Sequence, residues 1–536
     1  MNRRFVSKTS VVTRFRGLLI YCGFLVVSLT NTSASYAEFI VDAESFTQYI
    51  TVEKVKQDIA YLASQELEGR GTGSRGERLA ANYIARRFRL HQLIPPSGQA
   101  NYIQTFRVYE REMGETNSIT VRTEYPCGLI EERFSYPEVV PLGFSSSGKV
   151  KAPIVFAGYG IVAPEHDYND YACIDVKGKI VLILRHEPRE LEEAGVFGGK
   201  QMTTHAYIKT KLAKASKHGA AAILIVTDPL NHKHFMPDLA PFAPYRFKLS
   251  RRSPPRSLTL APIEGQSPIA QINKNIADEI LEGTGWSLAN LQERIDKSLQ
   301  PNSFEISGKV ATIDFTVKDV QKNAHNVIGI LEGRDPDFKN ECIIIGAHLD
   351  HLGISVDRGT VFLGADDNAS GVSGLLSIVA AFDALGLRPR RTIVFVGFSG
   401  EEYGLWGSRY YAENPIIPMS KTIGMVNLDM IGRLENRAIS VSHSDFAPKL
   451  ETMIKEIGAE LNVKVDVHPI RPREPSDHSV FHNRKIPSVH LFAGFHADYH
   501  TPADTADKLT YAGIVSISSL AAMLVWKIAE QGLHLN

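Results

Sequence analysis

Two histidines and several carboxylates stand where short apolar runs of this chain stop. The run 343–347 leads into His348-Leu349-Asp350, and the run 392–398 into Ser399-Gly400-Glu401-Glu402. The run 423–428 ends at Asp429, and the run 489–492 leads to Asp498-Tyr499-His500. Between the first two lies Gly364-Ala365-Asp366-Asp367-Asn368-Ala369-Ser370-Gly371, ahead of a helical pattern over 372–385. Carboxylates gathered together repel and raise one another's pKa, and no Lys or Arg stands among these candidates. Divalent cations resolve that conflict. Imidazole with carboxylate and no thiolate suits zinc, with manganese or cobalt as substitutes. Two histidines and three carboxylates suit two ions that share one carboxylate. A solitary Asp after a strand is most often a cap or turn residue. Recurrence at successive strand ends is what points to a site.

The elements that must position these residues alternate between strand and helix over 315–536. Strands that read as near-continuous apolar runs between helices predict an α/β fold, with a mostly parallel sheet covered on both faces. In such a sheet ligands bind beyond the carboxyl ends of the strands, where these residues fall. Residues 45–110 read as helix, loop, helix, strand. Their loop holds Gly71-Thr72-Gly73-Ser74-Arg75-Gly76, a formal GxGxxG, but a dinucleotide fingerprint follows a strand and this one follows a helical stretch. From about 140 to 300 the texture changes. Strand-like runs at 154–159, 180–184 and 221–226 are split by turns, 204–217 reads as a helix, and 251–268 as irregular connection.

The 536 residues balance 59 Lys+Arg against 59 Asp+Glu, so no basic excess points to nucleic acid. The length predicts more than one domain. Residues 1–16 carry Arg3, Arg4, Lys8, Arg14 and Arg16 and no acid. An apolar run over 17–29 and Ser35-Tyr36-Ala37 follow, which is a signal-peptide pattern with cleavage expected after Ala37. Thirteen apolar residues fall short of the ~20 that span a bilayer. No other run reads as long enough to span, so the mature chain is expected to be periplasmic or secreted, with no stable membrane span. Cys127, Cys173 and Cys342 remain after cleavage. With no CxxC, a cysteine-rich zinc site is excluded.

GAHLDHLG at 346–353, GADDNASG at 364–371, FSGEEYGLWGS at 398–408, NLDMIGR at 427–433 and DYHTPADT at 498–505 resemble the signature blocks of the di-zinc aminopeptidases. That group also includes glutamate carboxypeptidase and the transferrin receptor. Upstream, 67–88 resembles the family's N-terminal helices, whereas 178–188 and 217–228 resemble a protease-associated domain. With 1–37 read as a leader, the resemblance implies a catalytic domain split between 38–139 and 301–536. A β-rich protease-associated insert at 140–300 would separate the two parts. Carried over by position, it puts His348 and Asp429 on one zinc, and Glu402 and His500 on the other, with Asp367 bridging. It makes Glu401 the general base for metal-activated water, and implies a cis peptide after Asp367. Asp350 would hydrogen-bond the free nitrogen of His348, a role metal-bound imidazoles commonly require.

The activity so implied is hydrolysis of N-terminal residues from peptides. The alternatives are a carboxypeptidase or dipeptidase of the same family, a glutaminyl cyclase of the same fold, and a receptor-like binding protein. Ser476-Asp477-His478 lacks the nucleophile elbow of a hydrolytic triad; family position suggests a pocket-lining role, with structural hydrogen bonding as the alternative. His351, His482, His490 and His496 read as structural or surface residues. The region 140–300 is expected to shape access and to supply no metal ligand, since His166, Asp170, His186, His205 and His218 share no strand-end pattern. Asn368-Ala369-Ser370 matches a glycosylation acceptor only formally, because it abuts the proposed metal loop.

Overall fold

Alternating apolar strands and helices assemble as the sequence pattern predicts. The structure is a computed structural model. It describes residues 43–97, 101–135, 138–142, 145–193, 195–232, 257–259, 267–354, 359–434, 437–471 and 475–533. The expected leader, with its cleavage point, and most of the expected connection at 251–268 lie outside the described residues.

A short helix at Ala43–Thr47 precedes α1 (Val52–Leu62) and α2 (Arg75–Leu90). Thr51 and Ser74 cap them, each side chain accepting from the amide three residues on. Strands follow as β1 (Ile103–Tyr125), β2 (Val139–Pro141), β3 (Gly148–Ala157), β4 (Ile180–Leu184), β5 (Ala222–Val226), β6 (Ile269–Ile272) and β7 (Ser303–Leu331). Helix α3 (Ile208–Lys217) falls between β4 and β5. Further strands are β8 (Cys342–His348), β9 (Thr392–Phe398), β10 (Thr422–Leu428), β11 (Ile439–His443), β12 (Val465–Pro469) and β13 (Ser488–Phe492). Helices α4 (Gly371–Ala384), α5 (Pro448–Glu460) and α6 (Tyr511–Gln531) lie among and after them.

One sheet runs in the order β12-β11-β13-β10-β8-β9-β7-β3-β4-β5-β6-β2. Its centre, β9-β8-β10-β13, is parallel throughout, and β8 and β9 are buried at every residue. That is why their sequences are continuous apolar runs rather than alternating ones. The long β7 joins two regions. Its end pairs antiparallel with β9, from Val327 opposite Gly397 to Leu331 opposite Ile393, and its start pairs antiparallel with β3. Beyond it, β3-β4-β5-β6 is a second parallel group. Two apolar cores form there, one containing Phe156, Leu182 and Leu224, the other Val155, Ile183 and Ile225.

Helix α6 corrects one expectation. It is long and apolar enough to cross a membrane by length and composition, with mean hydropathy 1.7. However, 72% of that stretch is buried within the protein, and it packs on α4 and α5 as a core helix.

Candidate metal centre

Because β8, β9, β10 and β13 run parallel, their carboxyl ends share one edge of the sheet. His348 closes β8, Glu401 and Glu402 follow β9, Asp429 follows β10, and His500 lies in the loop after β13. Asp367 comes from the turn entering α4. Gly364 opens that turn at φ +58°, where a Cβ would sit 2.2 Å from the Asp367 carbonyl oxygen. The Asp367–Asn368 peptide is cis, as the resemblance implies.

These side chains meet in two sets joined by one carboxylate. His348 Nε2 lies 3.2 Å from Asp367 Oδ1 and 3.2 Å from Asp429 Oδ1. His500 Nε2 lies 3.0 Å from Asp367 Oδ2 and 3.0 Å from Glu402 Oε2. Asp367 therefore turns one oxygen to each set. Glu401 offers an oxygen within 4.8 Å of the donor atoms of His348 and Glu402 without belonging to either set of close pairs.

Electrostatics divides the carboxylates. Burial raises the pKa of Asp367, but His348, His351 and His500 overcome it and hold the carboxyl well below its ordinary value. Glu402 is lowered in the same way, burial being outweighed by His500 and His351. Glu401 goes the other way. Burial, with Asp429, Glu402 and Asp477 nearby, lifts it well above the ordinary glutamate value against the pull of His348. Burial opposes charge on His500 as well, yet Glu402 and Asp367 hold its pKa up at about 11. Adjacent glutamates with opposite shifts are suited to different tasks.

The surrounding support differs in part from expectation. His348 Nδ1 donates to the main-chain carbonyl of Asp350 at 3.2 Å, while the Asp350 carboxylate stands off at 3.7 Å, beyond hydrogen-bond range. That carboxylate instead accepts from Thr72 Oγ1 at 2.7 Å and from the Glu401 amide at 3.2 Å. Asp350 thus orients His348 through its backbone and Glu401 through its side chain. Ser476 donates to Asp429 Oδ2 at 2.7 Å and is itself donated to by Asn427. Ser476, Asp477 and His478 are all buried, and Ser476 buttresses the site through Asp429. Asp477, buried beside Asp350 and Asp429, is pushed up to about 7 by that burial.

His351 also departs from its reading as a structural or surface residue. Wholly buried, its Nδ1 lies 2.7 Å from Glu402 Oε1 and 3.7 Å from Asp367 Oδ2. His482 pairs with Ser444, and Asn427 donates to His490, as structural histidines do. His496 Nε2 lies 3.2 Å from Asp366 Oδ2, beside the turn rather than in either donor set. Asn368 donates to Leu428 and accepts from the amides of Gly371 and Met430, and its full burial closes its amide to a glycan.

Three further residues support the site, though nothing in the sequence alone gives them a role. Arg70 is 1% exposed and donates to the carbonyls of Leu349, Leu363 and Gly364, as well as to Leu62. Burial lowers its pKa to about 10 against the support of Asp367, Asp350, Asp504 and Glu402. It supplies the positive charge missing from the proposed donors. Thr72 belongs to the GxGxxG loop, whose main chain bridges to the metal-loop side at Gly71 and His351. Asp504 accepts from the amides of Asp366 and Asp367 at 3.0–3.1 Å and so clamps the bridging turn. Arg70 and Asp504 act through main-chain groups, whose positions no sequence motif announces.

Residues 326–525 match the model of peptidase family M28. Leupeptin-inactivating enzyme 1 of Streptomyces exfoliatus is 30% identical over 259 residues, which are 47% of this chain and 55% of that protein. Aminopeptidase NAALADL1 of Rattus norvegicus is 24% identical over 328 residues, 54% of this chain and 40% of that one. This chain thus spans about half, or less, of the length of these curated relatives. In fold it is similar to the aminopeptidase of Aneurinibacillus sp. strain AM-1, at TM-score 0.60 and 22% identity, covering 92% of this chain and 98% of that one. It is also similar to BSAP, a zinc aminopeptidase of Bacillus subtilis, at TM-score 0.50 and 19% identity over 90% and 96% of the two chains. The carboxylates and imidazoles of both donor sets all lie within residues 326–525, the segment that matches the peptidase family M28 model.

Proposed function

We propose that this chain is an exported di-zinc exopeptidase that removes N-terminal residues from peptides. The observation that carries the reading is the division of Asp367, one oxygen to the His348–Asp429 set and the other to the His500–Glu402 set. The donors fit the metal. They are imidazole Nε2 atoms and carboxylate oxygens without thiolate, a set that suits zinc, manganese or cobalt. The buried Nδ1 of His500 and the Nε2 of His351 have no hydrogen-bond partner among the described residues. His348 and Asp429 would hold one ion, Glu402 and His500 the other, and Asp367 both.

Bound there, two divalent cations supply Lewis acidity toward a scissile carbonyl and acidify water. The chain's own residues do the rest. Glu401 is the general base, taking a proton from water and giving it to the departing amine. Burial and the neighbouring acids raise its pKa, which favours its holding the proton taken from water. Asp350 fixes Glu401 through its amide, and Ser476 fixes Asp429. The export reading rests on the basic, apolar and small-residue pattern of residues 1–37. Residues 140–300, similar to a protease-associated domain, would restrict access to short or unfolded peptide ends.

The test is a hydrolysis panel of amino-acid p-nitroanilides, N-blocked peptides and dipeptides on the zinc-loaded protein. Cleavage that requires a free amino terminus supports the reading. Cleavage only of N-blocked peptides from the carboxyl end would make it a carboxypeptidase, and conversion of an N-terminal glutamine peptide without hydrolysis would make it a cyclase.

A further inference from the structure

Residues 140–300 hold a second group of metal-type donors, contrary to the expectation that their acids and histidines share no strand-end pattern. Strands β4 and β5 are parallel neighbours, with Leu184 opposite Val226 at their carboxyl ends. His186 lies two residues beyond Leu184, and Asp228 two beyond Val226. The register therefore sets them side by side, and His186 Nδ1 pairs with Asp228 Oδ2. Each then has a partner four residues on, a spacing that brings side chains to one face of a helical turn. Glu190 follows His186, with Oε2 at 3.3 Å from His186 Nδ1. His232 follows Asp228 in a turn closed by its amide on the Asp228 carbonyl, and its Nε2 lies 2.8 Å from Glu190 Oε1.

The four donor atoms of His186, Glu190, Asp228 and His232 all lie within 4.8 Å of one another. The two imidazoles stack at 4.5 Å between centroids while both reach Glu190. Asp228 is wholly buried, and its Oδ1 has no hydrogen-bond partner among the described residues. A buried carboxylate oxygen without a donor is costly. Two neutral imidazoles and two carboxylates carry two negative charges, which one divalent cation neutralises. Donors of this kind, without thiolate, suit zinc or a neighbouring first-row ion.

We propose that His186, Glu190, Asp228 and His232 form a metal site for one divalent ion, zinc by donor type, separate from the donor sets around Asp367. Its place at the ends of two adjacent strands makes it a clasp between the segment after β4 and the segment after β5. It therefore acts on the architecture of this region and not on the reacting bond.

The test uses the full chain and zinc itself. Metal-stripped wild type and a Glu190→Gln/His232→Gln variant are titrated with Zn2+ against a chromophoric chelator, and bound zinc is counted by mass spectrometry after desalting. The expected result is one tight equivalent more in wild type, with affinity for that ion at least tenfold weaker in the variant. Only the difference between the two proteins is read, so the number of ions at the other centre does not enter. Equal zinc content and affinity would overturn the site. A zinc-edge anomalous map of the wild-type protein decides the case if the variant fails to fold. Density among these four side chains supports the site, and a map empty there while protein-bound zinc is seen elsewhere refutes it.

Discussion

Replacing Ser476 with Ala removes one hydrogen bond whose consequence can be followed to a single ion. The hydroxyl donates to Asp429 Oδ2 at 2.7 Å from a position 3% exposed, so water does not readily replace it. The other Asp429 oxygen faces His348 Nε2 at 3.2 Å, so the lost bond frees a donor carboxylate of the His348 set to rotate. Hydrogen bonds to charged groups contribute about 1.5–3 kcal/mol, and loss of a residue that orients a metal ligand commonly weakens affinity about 10–100-fold. These agree, since 1.4 kcal/mol is about tenfold. Asn427, which donates to Ser476, keeps His490 as an acceptor, so the global cost should stay near about 1 kcal/mol. Competitive zinc titration of Ser476→Ala should therefore show one ion weakened about 10–100-fold and the ion of the His500–Glu402 set nearly unchanged. Equal weakening of both ions, or of neither, would refute the reasoning.

Other consequences follow from the same geometry. Glu401→Gln should keep the wild-type metal content while kcat falls about 10²–10⁴-fold; near-normal turnover would reassign the base. Arg70→Met strands the carbonyls that the guanidinium serves and removes the buried cation among Asp350, Asp367, Asp504 and Glu402. It should lower unfolding free energy by about 3–5 kcal/mol, and a loss under 1 kcal/mol in urea unfolding would contradict that. Without metal, the His500 pKa is raised to about 11 from an unfolded value near ~6.5. Its contribution to stability is then complete below the unfolded value and lost as pH rises toward the folded one. Chelated protein should lose melting temperature between pH 7 and 10, and a rise across that window would reverse the sign. Over the same window zinc affinity should increase as competing protons leave.

The parallel strands were legible because burial on both faces writes them as unbroken apolar runs. Cys342–His348 and Thr392–Phe398 needed no tertiary knowledge, and their ends located His348, Glu401 and Glu402. What escaped were interactions made by backbone or set by register. The role of Arg70 lies in carbonyls of Leu349, Leu363 and Gly364 almost three hundred residues away. His351 reads as an ordinary neighbour of Asp350 until the turn after β8 aims it at Glu402. His186 and Asp228 look unrelated at forty-two residues apart until the pairing of β4 with β5 puts Leu184 beside Val226. Helix α6 reads as a helix over 514–530 but not as a run of membrane-spanning length, because Ser516, Ser518, Ser519 and Lys527 interrupt it, although most of it is core.

The central claim is that Asp367 joins two metal ions. Diffraction from crystals of the zinc-loaded protein, recorded on both sides of the zinc edge, tests it most directly. The account predicts two anomalous peaks flanking Asp367, one bounded by His348 and Asp429, the other by Glu402 and His500. A single peak with Asp367 engaged on one side only, or two peaks with Asp367 touching neither, would contradict it.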